Sequence, residues 1–213
     1  MTKHKSGVKH IVHFLKDIKQ TGAVMPSSRY LARDVVKLLR KQLRRNENRD
    51  PVRVLEVGAG TGTFTSYIHN ELKTGDRLDV IELNDRLFHI LSQRFNPSSN
   101  VHLHHCDILD YVADEPYDYI YSSIPYESIP EHITEKIWDK KLSHCRPGSF
   151  ITYYKYVNFN QFRCDFEKKL VRQCLEKEKV VFLNVPPAKL FTLNITDPEG
   201  VRDDLLEQKE LAG

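Results

Sequence analysis

From residue 51 onward, short apolar runs alternate with segments in which apolar residues recur every three or four positions. The short runs predict β-strands and the longer segments predict α-helices. The predicted strands are VRVLEV (52–57), RLDVIEL (77–83), NVHLHH (100–105), YDYIYSSI (117–124), SFITYYKY (149–156), KVVFLNV (179–185) and KLFTLNIT (189–196). The predicted helices cover about 63–72, 85–94, 130–143 and 159–177. This order predicts an α/β domain whose sheet has about seven strands, mostly parallel, with helices on both faces and a final hairpin that gives one antiparallel strand.

Two basic, amphipathic helices are predicted before this alternation. The first covers residues 8–18, and the second begins at Ser27 or Ser28 and ends near Arg45. Residues 1–50 are therefore assigned to N-terminal helices that belong to the same domain, and residues 51–196 to the core. The acidic, polar tail at residues 197–213 is expected to be partly loose.

A glycine-rich stretch, VLEVGAGTG (54–62), follows the first predicted strand of the core. A strand, a glycine turn and a helix start favour nucleotide binding, because glycine lets the backbone approach a ligand and the helix offers unpaired N–H groups. Glu82 ends the second predicted strand, where a carboxylate can accept both hydroxyls of a ribose. The dinucleotide fingerprint needs Gly or Ala at position 63, but the residue there is Thr63. An acidic group at Glu56 would also repel a pyrophosphate.

The G-x-G-x-G spacing with Glu56 before it resembles the first motif of class I S-adenosylmethionine (SAM) methyltransferases. HCDILDY after the third strand, SSIPY after the fourth and RPGSF before the fifth resemble later motifs of that family. The resemblance implies a Rossmann-like class I methyltransferase fold with SAM as cofactor. It implies that Glu56 holds the methionine ammonium, Glu82 the ribose and Asp107 the adenine amino group, with Ile108 beside the ring. The remaining residues predicted to contact SAM are Gly58, Gly60, Thr61, Gly62, Leu83, Ser123 and Ile124.

The charge of the chain is unevenly distributed. Residues 1–50 carry 13 Lys/Arg and 4 Asp/Glu, whereas the rest carries 19 and 25. A basic front suggests an anionic partner. No run approaches the ~18 consecutive apolar residues that span a bilayer, and four scattered cysteines favour a reduced, cytoplasmic protein.

The segment FLKDIKQTGAVMPSSRYLAR (14–33) resembles the N-terminal part of bacterial phospholipid N-methyltransferases. The segments IPYESIP (124–130) and VPPAKLF (185–191) extend that resemblance. It implies methylation of a membrane phospholipid amine, most simply phosphatidylethanolamine. The partners would be an anionic membrane surface and its phospholipid, and the protein would associate peripherally with the inner membrane surface.

The main alternative is an rRNA adenine N6-dimethyltransferase, whose substrate would be nucleic acid. Those enzymes carry N-(I/L)-P-(Y/F) where this chain has Ser123, and they usually add a C-terminal helical domain for which the chain leaves little length. The basic front would nonetheless suit RNA phosphates. A second alternative is a SAM-binding module without transfer activity. No protein partner is evident.

Two tyrosines are the catalytic candidates. Tyr126 lies in the loop predicted to face the methyl group, where its ring can stack on a methylated ammonium and its hydroxyl can orient an amine. Tyr30 is the second, by its position in the resembled N-terminal segment. A core or lid tyrosine is the alternative for Tyr126. No metal site is predicted, because methyl transfer from a sulfonium needs none and the histidines at 102–105 lack further ligands.

Overall fold

A seven-stranded sheet forms the centre of the protein. The computed structural model describes residues 28–45, 50–95, 100–157 and 164–210. The strands are β1 (Arg53–Val57), β2 (Arg77–Ile81), β3 (Val101–His104), β4 (Tyr117–Ser122), β5 (Cys145–Tyr156), β6 (Leu175–Val181) and β7 (Ala188–Ile195). Their order across the sheet is β3-β2-β1-β4-β5-β7-β6, with β7 antiparallel to both of its neighbours and the pairs from β3 to β5 parallel. The predicted Rossmann-like architecture and its closing hairpin are therefore confirmed.

Helices cover both faces of this sheet. They are α1 (Arg29–Val35), α2 (Lys37–Arg45), α3 (Thr63–His69), α4 (Asp85–Phe95), α5 (Glu131–Ser143), α6 (Asp165–Cys174) and α7 (Pro198–Glu210). One apolar cluster packs the four helices α1, α2, α3 and α4 on one face of the sheet. A second cluster packs α5, α6 and α7 on the opposite face. The central strands β1 and β4 are buried along most of their length because helices cover both faces of the sheet, and most of their residues are apolar or aromatic.

The second predicted N-terminal helix is present, but it is divided at Val36 into α1 and α2. The Ser28 side chain caps α1 by accepting a hydrogen bond from the Leu31 N–H at 3.2 Å. Leu31, Val35 and Leu39 are buried against the sheet, as the apolar stripe predicts. The predicted first helix, at residues 8–18, lies outside the described residues.

Several boundaries differ from the sequence-based prediction: β5 and β6 begin four residues earlier than predicted, at Cys145 and Leu175, and three further differences lie at the ends of β6 and α6 and in the tail. Strand β6 ends at Val181, because Asn184 holds a turn there by donating from its side chain to the Pro186 carbonyl at 2.7 Å. The apolar residues of KVVFLNV that follow Val181 therefore lie exposed in a turn and not in a strand. The described part of the helix predicted over 159–177 is α6, which ends at Cys174.

The third difference is the tail, where the expectation of a loose segment is wrong for residues 198–210. These residues form α7, which packs on α5 and α6. The Arg202 guanidinium donates to Asp139 of α5 at 2.7 Å, and Leu205 is buried. In the part of the chain that the structure describes, no helix has both the length and the apolar character needed to cross a bilayer.

Candidate cofactor-binding site

The glycine loop (residues 58–62) connects β1 to α3 at the carboxyl edge of the sheet. The Gly58 N–H donates to the Ile81 carbonyl at 2.9 Å, and the Gly60 N–H donates to the Glu82 carboxylate at 2.7 Å. A Cβ atom built on Gly60 would meet no atom within 4 Å, so the loop borders open space at this point. The backbone there can therefore approach a ligand.

Gly62 has a different role in the loop. Its φ is +81°, and a Cβ atom would lie 2.5 Å from Phe95 and 2.8 Å from Leu91, both on α4. The missing side chain at this position makes room for another helix, not for a ligand. Thr61, beside it, is exposed, and its carbonyl accepts from Arg94 at 3.2 Å.

Glu56 is the most deeply buried acidic residue near the loop. It lies on β1 with no exposed surface, and neither of its carboxylate oxygens has a hydrogen-bond partner. Burial raises the pKa of the Glu56 carboxyl to about 7, against a smaller opposing contribution from Thr65. A buried carboxylate without a partner is costly, and a cationic ligand would relieve that cost.

Two further carboxylates stand where β2 and β3 end. Glu82 accepts from the backbone N–H groups of Gly60 and, at 2.8 Å, Asn84, so it fixes the glycine loop to its own turn. Asp107 accepts from the Leu109 N–H at 3.0 Å through one oxygen, while its other oxygen is buried and has no partner. Burial raises the pKa of the Asp107 carboxyl. Ile108 is buried beside it, and Leu83 is half-buried.

The loop after β4 lies against the glycine loop. We call residues 123–126 the SIPY loop. The Ser123 N–H donates to the Val57 carbonyl at 2.9 Å, and a Cβ atom on Gly58 would come within 3.6 Å of Ile124. The Ser123 hydroxyl is buried and has no hydrogen-bond partner. The structure thus brings Ser123 and Ile124 close to the glycine loop, and their contact with SAM stays a prediction.

Tyr126 does not face this site, which corrects its prediction as an acceptor-binding residue. Its ring stacks on Trp138 at 5.2 Å between centroids, and its hydroxyl bonds to Ser122 Oγ at 2.5 Å and Lys141 Nζ at 2.6 Å. The ring is almost fully buried. Tyr126 is therefore a core residue under the SIPY loop, and its ring is not available to a methylated ammonium.

Tyr30 lies on α1, which packs on α3, the helix that follows the glycine loop. It is about one-third exposed and lines a cleft of roughly 470 Å³ between α1 and the end of β6, together with Arg33, Lys37 and Lys179. No residue of the glycine loop lines that cleft. The role of Tyr30 as a catalytic candidate stays a prediction, and the preceding residues of the resembled segment, 14–27, are outside the described part of the chain.

Sequence reasoning missed three residues that shape the site: Asn84, Trp138 and Lys141. Asn84 ties the turn after β2 by donating its N–H to Glu82. Trp138 and Lys141 lie on α5 and hold Tyr126. Their one sequence signal is a lysine and a tryptophan one turn apart on a helix whose Ile133 and Ile137 face the core.

The arrangement fits SAM. The buried, unpartnered Glu56 carboxylate suits an ammonium, the free oxygen of Asp107 suits an exocyclic amine, and the open side of Gly60 admits a nucleoside. A pyrophosphate would meet these carboxylates with like charge. Fold and site together define a class I SAM-dependent methyltransferase.

Comparison with known families assigns the chain to one family within this class. The family model described as "Ribosomal RNA adenine dimethylase" matches residues 34–157, more than half of the chain. The chain belongs to the ribosomal RNA adenine dimethylase family. The match begins in α1, includes the glycine loop and the SIPY loop, and ends after β5.

Curated relatives agree with the family. Ribosomal RNA small subunit methyltransferase A of Pseudomonas fluorescens is 44% identical over 59 residues, which are 28% of this chain and 21% of the relative. The protein of the same name from Thermotoga neapolitana is 40% identical over 85 residues, 39% of this chain and 31% of the relative. The chain spans less than half the length of the curated relatives it matches.

Solved structures agree with the fold. The N-methyltransferase NodS of Bradyrhizobium japonicum, solved with S-adenosyl-L-homocysteine, superposes with a TM-score of 0.62 at 17% identity. The superposition covers 80% of this chain and 89% of NodS. At that identity the likeness concerns the fold alone.

The prediction of a membrane phospholipid acceptor is wrong. The family model and the curated relatives concern ribosomal RNA, the alternative that the sequence left open. The misleading signal came largely from residues 14–27, whereas the family match rests on residues 34–157, where the fold and the cofactor site are built. The membrane surface that was predicted as a partner has no support in these findings.

Proposed function

We propose that this protein transfers methyl groups from SAM to the N6 amine of adenine in ribosomal RNA. The observation that carries the proposal is the family match, which spans both the glycine loop and the SIPY loop. The names of the curated relatives favour RNA of the small ribosomal subunit as the acceptor.

SAM would bind across the carboxyl edge of the sheet. In this proposal Glu56 pairs with the methionine ammonium, Glu82 accepts from the ribose hydroxyls and the free oxygen of Asp107 accepts from the adenine amine. The glycine loop lies under the nucleoside. The other residues proposed to line the cofactor are Thr61, Leu83, Ile108 and Ile124, whereas Gly62, which the sequence also predicts there, faces the helix α4.

Ser123 is proposed to orient the acceptor. The lone pair of an adenine amine is delocalised into the ring, so a hydrogen-bond acceptor on one of its protons helps to direct that lone pair at the methyl carbon. The Ser123 backbone lies next to Gly58, and the Ser123 hydroxyl, which has no hydrogen-bond partner, can accept that hydrogen bond. When bound, SAM would supply an activated methyl group: the N–C bond would form as the C–S bond breaks, the sulfur would keep the electron pair, and the amine proton would pass to water.

This chain has Ser123 at the position where rRNA adenine N6-dimethyltransferases carry an asparagine, and this difference limits how far the acceptor can lie from the loop. A serine hydroxyl reaches less far than an asparagine amide, so the adenine must come closer to the backbone at residue 123. Ser123→Asn is therefore expected to change the KM for RNA as well as kcat. Ser123→Ala removes the hydrogen bond and is expected to lower kcat by about 10- to 100-fold.

Labelled SAM tests the function directly. The protein is incubated with methyl-labelled SAM and small-subunit rRNA, and RNase digestion shows whether the label is in RNA. The control is Glu82→Ala, which removes the ribose acceptor and is expected to abolish transfer while the protein stays folded. SAM binding by calorimetry without transfer to RNA would favour a non-catalytic SAM-binding module and would refute the proposal.

A further inference from the structure

One buried ionisable group has no role in the function proposed above. Lys141 of α5 has no exposed surface, although lysine side chains usually keep their charged end in water. Its Nζ atom donates to the Tyr126 hydroxyl at 2.6 Å and lies 3.0 Å from the centre of the Trp138 ring. The Tyr126 hydroxyl also bonds to Ser122 at the end of β4. A single chain of hydrogen bonds therefore links α5 to the strand and the loop at the site.

The surroundings of Lys141 favour an uncharged amine. Burial lowers the pKa of Lys141 well below its usual value. The largest effect that raises this pKa is the negative charge of Glu167 on α6. That carboxylate already pairs with Lys155 of β5 at 2.6 Å, and this ion pair is itself buried. The amine of Lys141 therefore bonds to a phenol and not to a carboxylate.

A nitrogen in this position is not needed to fill the core. Methionine has nearly the same length and would contact the Trp138 ring without a desolvation cost, so the amine reduces stability relative to an apolar side chain. What the amine adds is a directional bond to Tyr126. Tyr126 in turn closes the SIPY loop, since its N–H donates to the Ile124 carbonyl at 3.0 Å.

We propose that Lys141 is a positioning residue for the SIPY loop, acting through the Tyr126 hydroxyl to hold Ser123 and Ile124 against the glycine loop. This inference rests on the proposed function in one respect, namely that the methyl acceptor binds at the SIPY loop. Lys141 itself touches neither SAM nor RNA. Its contribution is to fix the distance between the acceptor amine and the methyl carbon, on which transfer depends steeply.

Lys141→Met tests the proposal, with Lys136→Met as the matched control on an exposed position of the same helix. Amide hydrogen exchange gives a readout that needs no acceptor. In Lys141→Met the exchange rates of the Ser123 and Tyr126 N–H groups are expected to rise by about tenfold or more, while the amides of β5 and β7 stay protected. With RNA, kcat is expected to fall by about 10- to 100-fold, with SAM affinity unchanged. Lys136→Met is expected to match the wild type in every measurement.

Tyr126→Phe gives a second variant, because it keeps the ring on Trp138 and removes only the hydroxyl. It is expected to reproduce the faster loop exchange and the lower kcat, and the double variant is expected to lose little more than either single variant. If Lys141→Met does not fold, Tyr126→Phe decides the question by the same readouts. Unchanged exchange in the SIPY loop, or a freed loop with unchanged kcat, would overturn the proposal. If the wild type transfers no methyl group to RNA, the proposed function fails, and the exchange data alone decide the role of Lys141.

Discussion

The Glu56 carboxyl combines complete burial with a lack of hydrogen-bond partners, and this makes it the most informative single residue. Folding moves its pKa from the usual 4.5 to about 7, because burial disfavours the ionised form. The folded protein therefore holds a proton here that the unfolded chain releases. The stabilising effect of that proton is complete below pH 4.5 and is lost as the pH rises to about 7.

Glu56→Gln should remove this dependence on pH. We expect the free energy of unfolding of the wild type to fall, relative to that of the variant, by at most about 3 kcal/mol between pH 4.5 and 7. Denaturant titrations of both proteins across that range measure the difference. Saturating S-adenosyl-L-homocysteine should flatten the wild-type curve, since its ammonium would pair with the ionised carboxylate. Parallel curves for the two unliganded proteins would mean that the carboxyl is not perturbed.

Individual site residues differ in how far the sequence predicts them. Glu56, Glu82 and Asp107 follow from strand ends and spacing, because parallel strands bring their carboxyl ends to one edge of a sheet. The direction in which Tyr126 points does not follow, because it depends on Lys141 of α5, fifteen positions later in the chain. A short apolar loop contains no signal that separates a ring facing the ligand from one facing the core.

At the scale of elements, the glycine loop predicts two different outcomes for the same substitution. Gly62→Ala places a methyl group within 2.5 Å of Phe95 and should lower the free energy of unfolding by several kcal/mol, on the order of 2–4. Gly60→Ala meets open space and should cost only the strain of a left-handed backbone, about 1–2 kcal/mol. Calorimetry measures the SAM affinity of both variants. We expect Gly60→Ala to lose more SAM affinity for a given loss of stability than Gly62→Ala does. Equal effects of both substitutions on stability would contradict the assignment of two roles.

The C-terminal helix gives a second prediction at this scale. Leu205 of α7 is buried against the cluster formed with α5 and α6, so Leu205→Ala should destabilise the protein by about 2–4 kcal/mol. Thermal unfolding checks this, with the exposed Asp203→Ala as control. A variant as stable as the wild type would indicate that α7 is not docked on the domain.

The sequence predicts the short, mostly apolar runs well, but it does not predict the elements whose ends depend on long-range contacts. The runs that form β1 and β4 are buried on both faces, which is the usual environment of such a run in a parallel sheet. Strand β6 is mostly exposed, and its end depends on a turn held by Asn184. Helix α7 looks like a polar tail because its polar face dominates, and its docking depends on the ion pair of Arg202 with α5.

At the scale of the whole molecule, cationic residues gather on α1 and α2. Arg33 and Lys37 are exposed there, while Lys179 nearby is already paired with Asp34 at 2.6 Å. We predict that these two side chains contact RNA phosphates, because they are exposed and carry positive charge. Arg33→Ala with Lys37→Ala should weaken RNA binding and reduce the slope of log affinity against log salt by about 1–2. Fluorescence anisotropy measures both, with Lys136→Ala and Arg172→Ala on the opposite face as control; an unchanged slope would place the RNA elsewhere.

The central claim is that this site methylates adenine N6 in ribosomal RNA, and nucleoside mass spectrometry tests it most directly. Unmodified small-subunit rRNA is incubated with the protein and SAM, digested to nucleosides and compared with a reaction containing Glu82→Ala. We expect N6-methylated adenosine in the wild-type reaction and none with the variant. Methyl groups found on another base or on the ribose, or adenosine left unmodified while SAM is bound, would contradict it.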